Sequence, residues 1–69
     1  MTEQFTDLTW RKITESRDGI ATYQAIARYE GHRMVHDFFA TDELASDAKA
    51  MMECVLWACR DFVRSHPPT

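Results

Sequence analysis

Only two glycines, two prolines and two cysteines punctuate this chain, and each scarcity excludes something. A glycine-rich phosphate-binding loop cannot be built from Gly19 and Gly31, because they stand alone and each follows an acidic residue, as in tight turns. Both prolines, Pro67 and Pro68, fall in the last three residues, so no proline interrupts an element before them. Cys54 and Cys59 lie five apart within one periodic stretch and would point about 140° apart on a helix. They cannot bridge each other without breaking that helix, which predicts two reduced thiols and a cytoplasmic protein. No apolar run approaches the length that crosses a bilayer, so no membrane partner is expected. The polar, acidic start reads as no signal peptide.

Basic surplus is missing as well. The net charge is −3, which argues against a generic coat for nucleic acid. What is present is the composition of an ordinary globular domain, 45% hydrophobic and 28% charged in 69 residues. That length allows two packed layers and one thin core, with little space to wall off an active-site cavity.

The clearest periodicity runs from Thr41 to Arg64. Leu44, Ala48, Met51, Val55, Ala58 and Phe62 alternate by fours and threes, which keeps them on one face of a helix. Thr41 suits an N-cap, Asp42, Glu43 and Asp47 suit the positive end of the dipole, and Arg60 and Arg64 the negative end. One long helix is expected.

Before it come three strand patterns. Leu8 to Ser16 alternates, Asp18-Gly19 is a strong two-residue hairpin turn, and Ala21 to Tyr29 alternates again. Glu30-Gly31 reads as a second turn and Arg33 to Phe39 as a third strand. Residues 1–7 are expected to form a flexible arm, 8–65 a single domain and 66–69 a disordered tail. The fold class is therefore α+β, a two-layer β-β-β-α plan: a three-stranded antiparallel meander packed by one long C-terminal helix.

Turn centres at Asp18-Gly19 and Glu30-Gly31 set a register with Arg17 opposite Ile20, Trp10 opposite Ala27, Tyr29 opposite His32 and Ala25 opposite His36. One sheet face then carries Leu8, Trp10, Tyr23, Ala25, Ala27, Tyr29, Met34, His36 and Phe38. The other carries Arg11, Ile13, Arg17, Ile26, Arg28, Arg33, Val35, Asp37 and Phe39. The first is the better core, since it buries more aromatic area and its alanines let a helix approach. Burying the second would enclose four arginines.

Two surfaces are left for function. Arg11, Arg17, Arg28 and Arg33 outnumber Glu15 and Asp37 on the outer sheet face, a locally positive surface on a negative molecule. Such a face suits phosphates or carboxylates as readily as plain solvent and cross-strand ion pairs. Trp57 falls about 160° from Val55, on the polar side of the helix among Glu53, Arg60 and Arg64. An aromatic flanked by arginines is typical of an interface anchor. A homodimer and a foreign partner both fit it.

Catalytic and metal chemistry find no assembly. His32 and His36 share a strand face but lie about 13 Å apart, too far to ligate one ion together. His36 and Asp37 are adjacent on a strand and so point to opposite faces. No histidine stands near either cysteine in the pattern. No enzyme activity, cofactor or metal is expected, and Met34, Met51 and Met52 read as packing.

The strand-turn-strand around Glu30-Gly31, then Phe39-Ala40-Thr41, then Ala45 and Ala48 opening the helix, make Ala21 to Met51 resemble the three-strand-plus-helix modules of the AP2 and integrase arm-binding type. In that family the sheet face away from the helix lies in a DNA groove, which implies DNA contacts for Arg11, Arg28 and Arg33. The acidic total charge departs from that family's basic pattern. In size, net charge and sheet-plus-helix plan the chain is also similar to the small anti-CRISPR proteins of phages and mobile elements. The first reading is a non-enzymatic protein that docks on a larger protein or nucleoprotein complex and inhibits or adapts it, most concretely in anti-CRISPR fashion. A small DNA-binding regulator using the arginine face is the alternative.

Overall fold

A computed structural model describes residues 5–65. The order is β1 (Phe5–Lys12), β2 (Ile20–Tyr29), β3 (His32–Thr41), α1 (Asp42–Ala45) and α2 (Ala48–Ser65). The strands form one antiparallel sheet in the order β1-β2-β3, with the helical layer packed on one face. This is the expected α+β meander followed by a long C-terminal helix.

Both turns have the backbone their residues predict. Asp18 and Gly19 take φ values of 55° and 76°, and Glu30 and Gly31 take 52° and 80°. Positive φ at both central positions defines the type I′ turn, whose twist matches the flanking strands. Around the first turn Arg17 and Ile20 exchange both backbone hydrogen bonds. The second closes on Tyr29 opposite His32, and β2 then pairs with β3 without interruption to Ile20 opposite Thr41.

The register of β1 differs from expectation. Trp10 lies opposite Ala25, not Ala27. Between the Arg17–Ile20 bridge and the Lys12–Tyr23 pair, β1 has four residues where β2 has two. Ile13 N–H still donates to the Thr22 carbonyl at 3.0 Å, and beyond it Thr14 to Ser16 bow out of the ladder, held by Thr22 N–H donating to the Thr14 hydroxyl and by Lys12 Nζ donating to Ser16. Because the slip is two residues, side-chain parity survives and Trp10 stays on the expected face.

A second irregularity lies between Thr6 and Thr9, where Asp7 and Leu8 oppose one residue of β2 and Asp7 takes φ 54°. This bulge changes parity and turns Phe5 toward the core side, where its ring sits 5.0 Å from that of Tyr29. Phe5–Asp7, expected in the arm, thus belong to β1; residues 1–4 and the expected tail 66–69 lie outside the described residues.

The helix is also not continuous. Ser46 caps α1 at its C-terminal end, its N–H bonding back to Asp42 and Glu43 and its hydroxyl to the Glu43 carbonyl. Asp47 Oδ1 then accepts from the N–H groups of Lys49 and Ala50 at 3.0 and 3.2 Å, capping α2. Serine and aspartate side chains compete with the backbone for its hydrogen bonds, and two in succession end one helix and start another. Thr41 caps α1 as expected, accepting from Leu44 N–H at 3.1 Å.

Helix α2 lies on the face chosen above. Ala21, Ala25, Ala27 and Ala40 form a floor of small buried residues, on which Met51, Val55, Ala58 and Cys59 settle. Met51 and Val55 are wholly buried, each worth about 1.5–3 kcal/mol relative to exposure. Trp10, Phe38, Tyr29, Phe62 and Leu8 close the margins. Met52 is exposed, unlike Met34 and Met51, because its helical angle carries it to the flank of the buried stripe.

Candidate functional site

One helix can cover only one face of a three-stranded sheet. The other face stays open, with apolar side chains along it: Ile13, Ile20, Ile26, Val35 and Phe39, the last 77% exposed. Phe38 and Phe39 show the cause. Adjacent strand residues point to opposite faces, so Phe38 packs under the helix while Phe39 stands in solvent.

Cross-strand pairing arranges this open face in rows. Thr9, Ile26 and Val35 form one row across the three strands, and Arg11, Gln24 and Asp37 the next. Thr6, Arg28 and Arg33 form a third, so two arginines oppose each other directly across β2 and β3. Arg28 donates to the Gly31 carbonyl at 3.3 Å. Arg11, Arg28 and Arg33 are all exposed. Arg17 is exposed too, but it sits at the type I′ turn beyond the ladder, away from the other three. The structure sets Arg28 and Arg33 side by side, with Arg11 on the same face but two rows away, across the Thr9–Ile26–Val35 row.

At the Asp18-Gly19 end of the face, away from Arg28 and Arg33, Phe39 borders an open groove. Its other walls are Ile20, Thr22 and the bowed segment from Thr14 to Asp18. Periodicity places Phe39 on the face, but the groove depends on the bow in β1, which leaves no periodic trace.

Across the molecule, Trp57 is 61% exposed on the side of α2 away from the sheet. The Arg60 guanidinium lies over the indole, 5.5 Å from the ring centroid. Such an exposed cation–π contact is worth about 0.5–1 kcal/mol. Glu53 and Arg64, one turn before and two turns after along the same side, are exposed. Helical spacing puts Glu53, Arg60 and Arg64 on the same side of α2 as Trp57.

The remaining chemistry-bearing side chains stay dispersed. His36 Nε2 lies 3.8 Å from Asp61 Oδ2, and its ring meets Phe62 edge-on at 5.7 Å, while His32 is exposed. Asp37 points to the opposite face. Cys54 and Cys59 are both free, and burial pushes the Cys59 thiol up from its ordinary range. Among the described residues no three His, Cys, Asp or Glu side chains are placed to hold a metal ion. No helix among them is long and apolar enough to cross a membrane.

In comparisons with family models, curated proteins and solved structures, the chain matches none.

Proposed function

We propose that this chain is a small non-enzymatic interaction protein that docks on a larger protein or nucleoprotein complex and inhibits or adapts it. The open sheet face carries the proposal. Exposed apolar side chains led by Phe39, with Arg11, Arg28 and Arg33 on the same face, have the composition of a binding surface: apolar contacts interleaved with arginine. Trp57 with Arg60 supplies a second anchor on the opposite side. Two faces of one thin domain could then bridge or wedge between components of an assembly. A cytoplasmic phage or mobile-element inhibitor of the anti-CRISPR kind is its most concrete form, supported by small size, acidic net charge and the compact plan.

The test is titration of the purified chain into a reconstituted CRISPR effector complex with its target DNA. Loss of target binding, relieved by Phe39→Asp or Trp57→Ala with the fold retained, supports the proposal. Unchanged target binding at large excess rules out the inhibitor form. Binding that survives both substitutions removes these two faces.

The facing pair Arg28 and Arg33 favours one second reading, a DNA-binding regulator using the same sheet face. Phosphate-reading arginines make affinity fall steeply with salt, with a log–log slope of about −0.9 per phosphate neutralised. A mobility shift with random duplex at low salt that vanishes at moderate salt would support it. No shift at low salt ends it.

A further inference from the structure

Among the described residues, the three-stranded sheet in the order β1-β2-β3 has two free edges, and they are unequal. β1 is spoiled as a pairing template: it carries the bulge at Asp7 and bows out after Ile13. Strand β3 is regular over ten residues, without bulge, proline or glycine. An uninterrupted edge of that length presents a row of unpaired backbone groups that other chains can join.

The groups facing outward can be identified. Tyr29 and His32 close a two-residue turn, which makes them a hydrogen-bonded pair. Such pairs alternate in an antiparallel ladder, so His32, Met34, His36, Phe38 and Ala40 bond to β2. The same alternation continues to Asp42, whose N–H donates to Gly19 at 2.8 Å. Arg33, Val35, Asp37 and Phe39 must then turn their N–H and C=O groups to the open edge.

Two of these residues carry charge, and charge on an edge normally discourages pairing. Here the signs are opposite and the residues flank Val35 symmetrically, two positions to each side. Neither has an ion-pair partner among the described residues, and the cross-strand neighbour of Arg33 on β2 is another arginine. We infer that β3 pairs antiparallel with β3 of a second copy of this chain, about a two-fold axis at Val35. Each Arg33 then faces the other copy's Asp37, and Val35 faces its own counterpart.

Only this register satisfies the charges. Centring on Asp37 sets two carboxylates opposite each other, and centring on His36 sets Val35 against a carboxylate. With Val35 at the axis, the Thr9–Ile26–Val35 row continues into its mirror across the dimer, and two three-stranded sheets become one of six strands. The inference stands apart from the functional proposal above, since it uses the edge of β3 and not the sheet face or Trp57.

Sedimentation equilibrium of the full chain, with amide exchange read at low and high concentration, tests it. The expected result is a dimer whose formation slows exchange at Arg33, Val35 and Asp37 amides, which are unprotected in the monomer. Arg33→Glu should weaken the dimer by at least about tenfold, since it exchanges two opposite-charge pairs for two like-charge pairs. The double exchange Arg33→Glu with Asp37→Arg should restore it. Val35→Pro should give a folded monomer, because the proline removes an N–H that β2 does not use. Should Val35→Pro unfold, the charge exchange decides alone. A chain that stays monomeric at about 1 mM, the weak end of specific association, overturns the inference. So does a dimer lost on Trp57→Ala but indifferent to Arg33→Glu.

Discussion

Phe5 and Tyr29 lie with ring centroids 5.0 Å apart and planes tilted by 30°, on the core side of the sheet. They meet only because Asp7, at φ 54°, inserts an extra residue between Phe5 and the rest of β1. Without the bulge Phe5 would face solvent. Phe5→Ala is therefore expected to destabilise by about 1–2 kcal/mol, below the cost for a fully buried ring because Phe5 is only partly buried. Urea unfolding followed by circular dichroism measures it.

The same backbone geometry separates two substitutions of Asp7. Glycine adopts positive φ freely, so Asp7→Gly should lie within about 0.5 kcal/mol of the parent. Asp7→Val places a β-branched side chain in the left-handed region and should cost about 1–2 kcal/mol. Equal stabilities for the two would mean that the bulge relaxes.

Ala25 is wholly buried beneath α2. Ala25→Leu adds volume where the helix rests on the sheet and should cost about 1–3 kcal/mol, with backbone shift. Thermal melting should show a lowered midpoint. An unchanged midpoint would imply that α2 rides higher than described.

Asp47 starts α2 through two side-chain hydrogen bonds. Asp47→Ala should lose about 1 kcal/mol, while Asp47→Ser should recover most of it, since a hydroxyl can accept in place of the carboxylate. Comparing their denaturation midpoints distinguishes a cap from a general effect of charge.

The two thiols should differ in reactivity. Cys54 is partly accessible and Cys59 is buried, so a thiol reagent should label Cys54 first and Cys59 only on unfolding. Burial raises the folded-state pKa of Cys59 above its unfolded value. The folded state thus favours the protonated thiol, a preference present in full below the unfolded value. Stability from this group should decline as pH rises above about 8.5, the ordinary thiol range. Cys59→Ala should flatten that decline in a pH series of denaturation curves.

Much of the fold was legible in the residues because it rests on local chemistry. Asp18-Gly19 and Glu30-Gly31 form type I′ turns through local backbone preference, and the second sets the register of β2 on β3. The 3.6-residue stripe through Met51, Val55 and Ala58 identified the buried face of α2, and the alanines identified the face of the sheet beneath it. Trp57, Glu53, Arg60 and Arg64 were placed together by the same arithmetic. Tertiary structure alone decided the rest. The bow at Thr14 to Ser16 and the bulge at Asp7 are departures from period two, and no periodic pattern can announce them. The division of the helix at Ser46–Asp47 was written in two capping residues, but the stripe runs through them without a break. Which capping signals are used depends on how the backbone hydrogen bonds are shared once the chain has packed. That sharing is a property of the assembled fold, not of any one stretch of sequence.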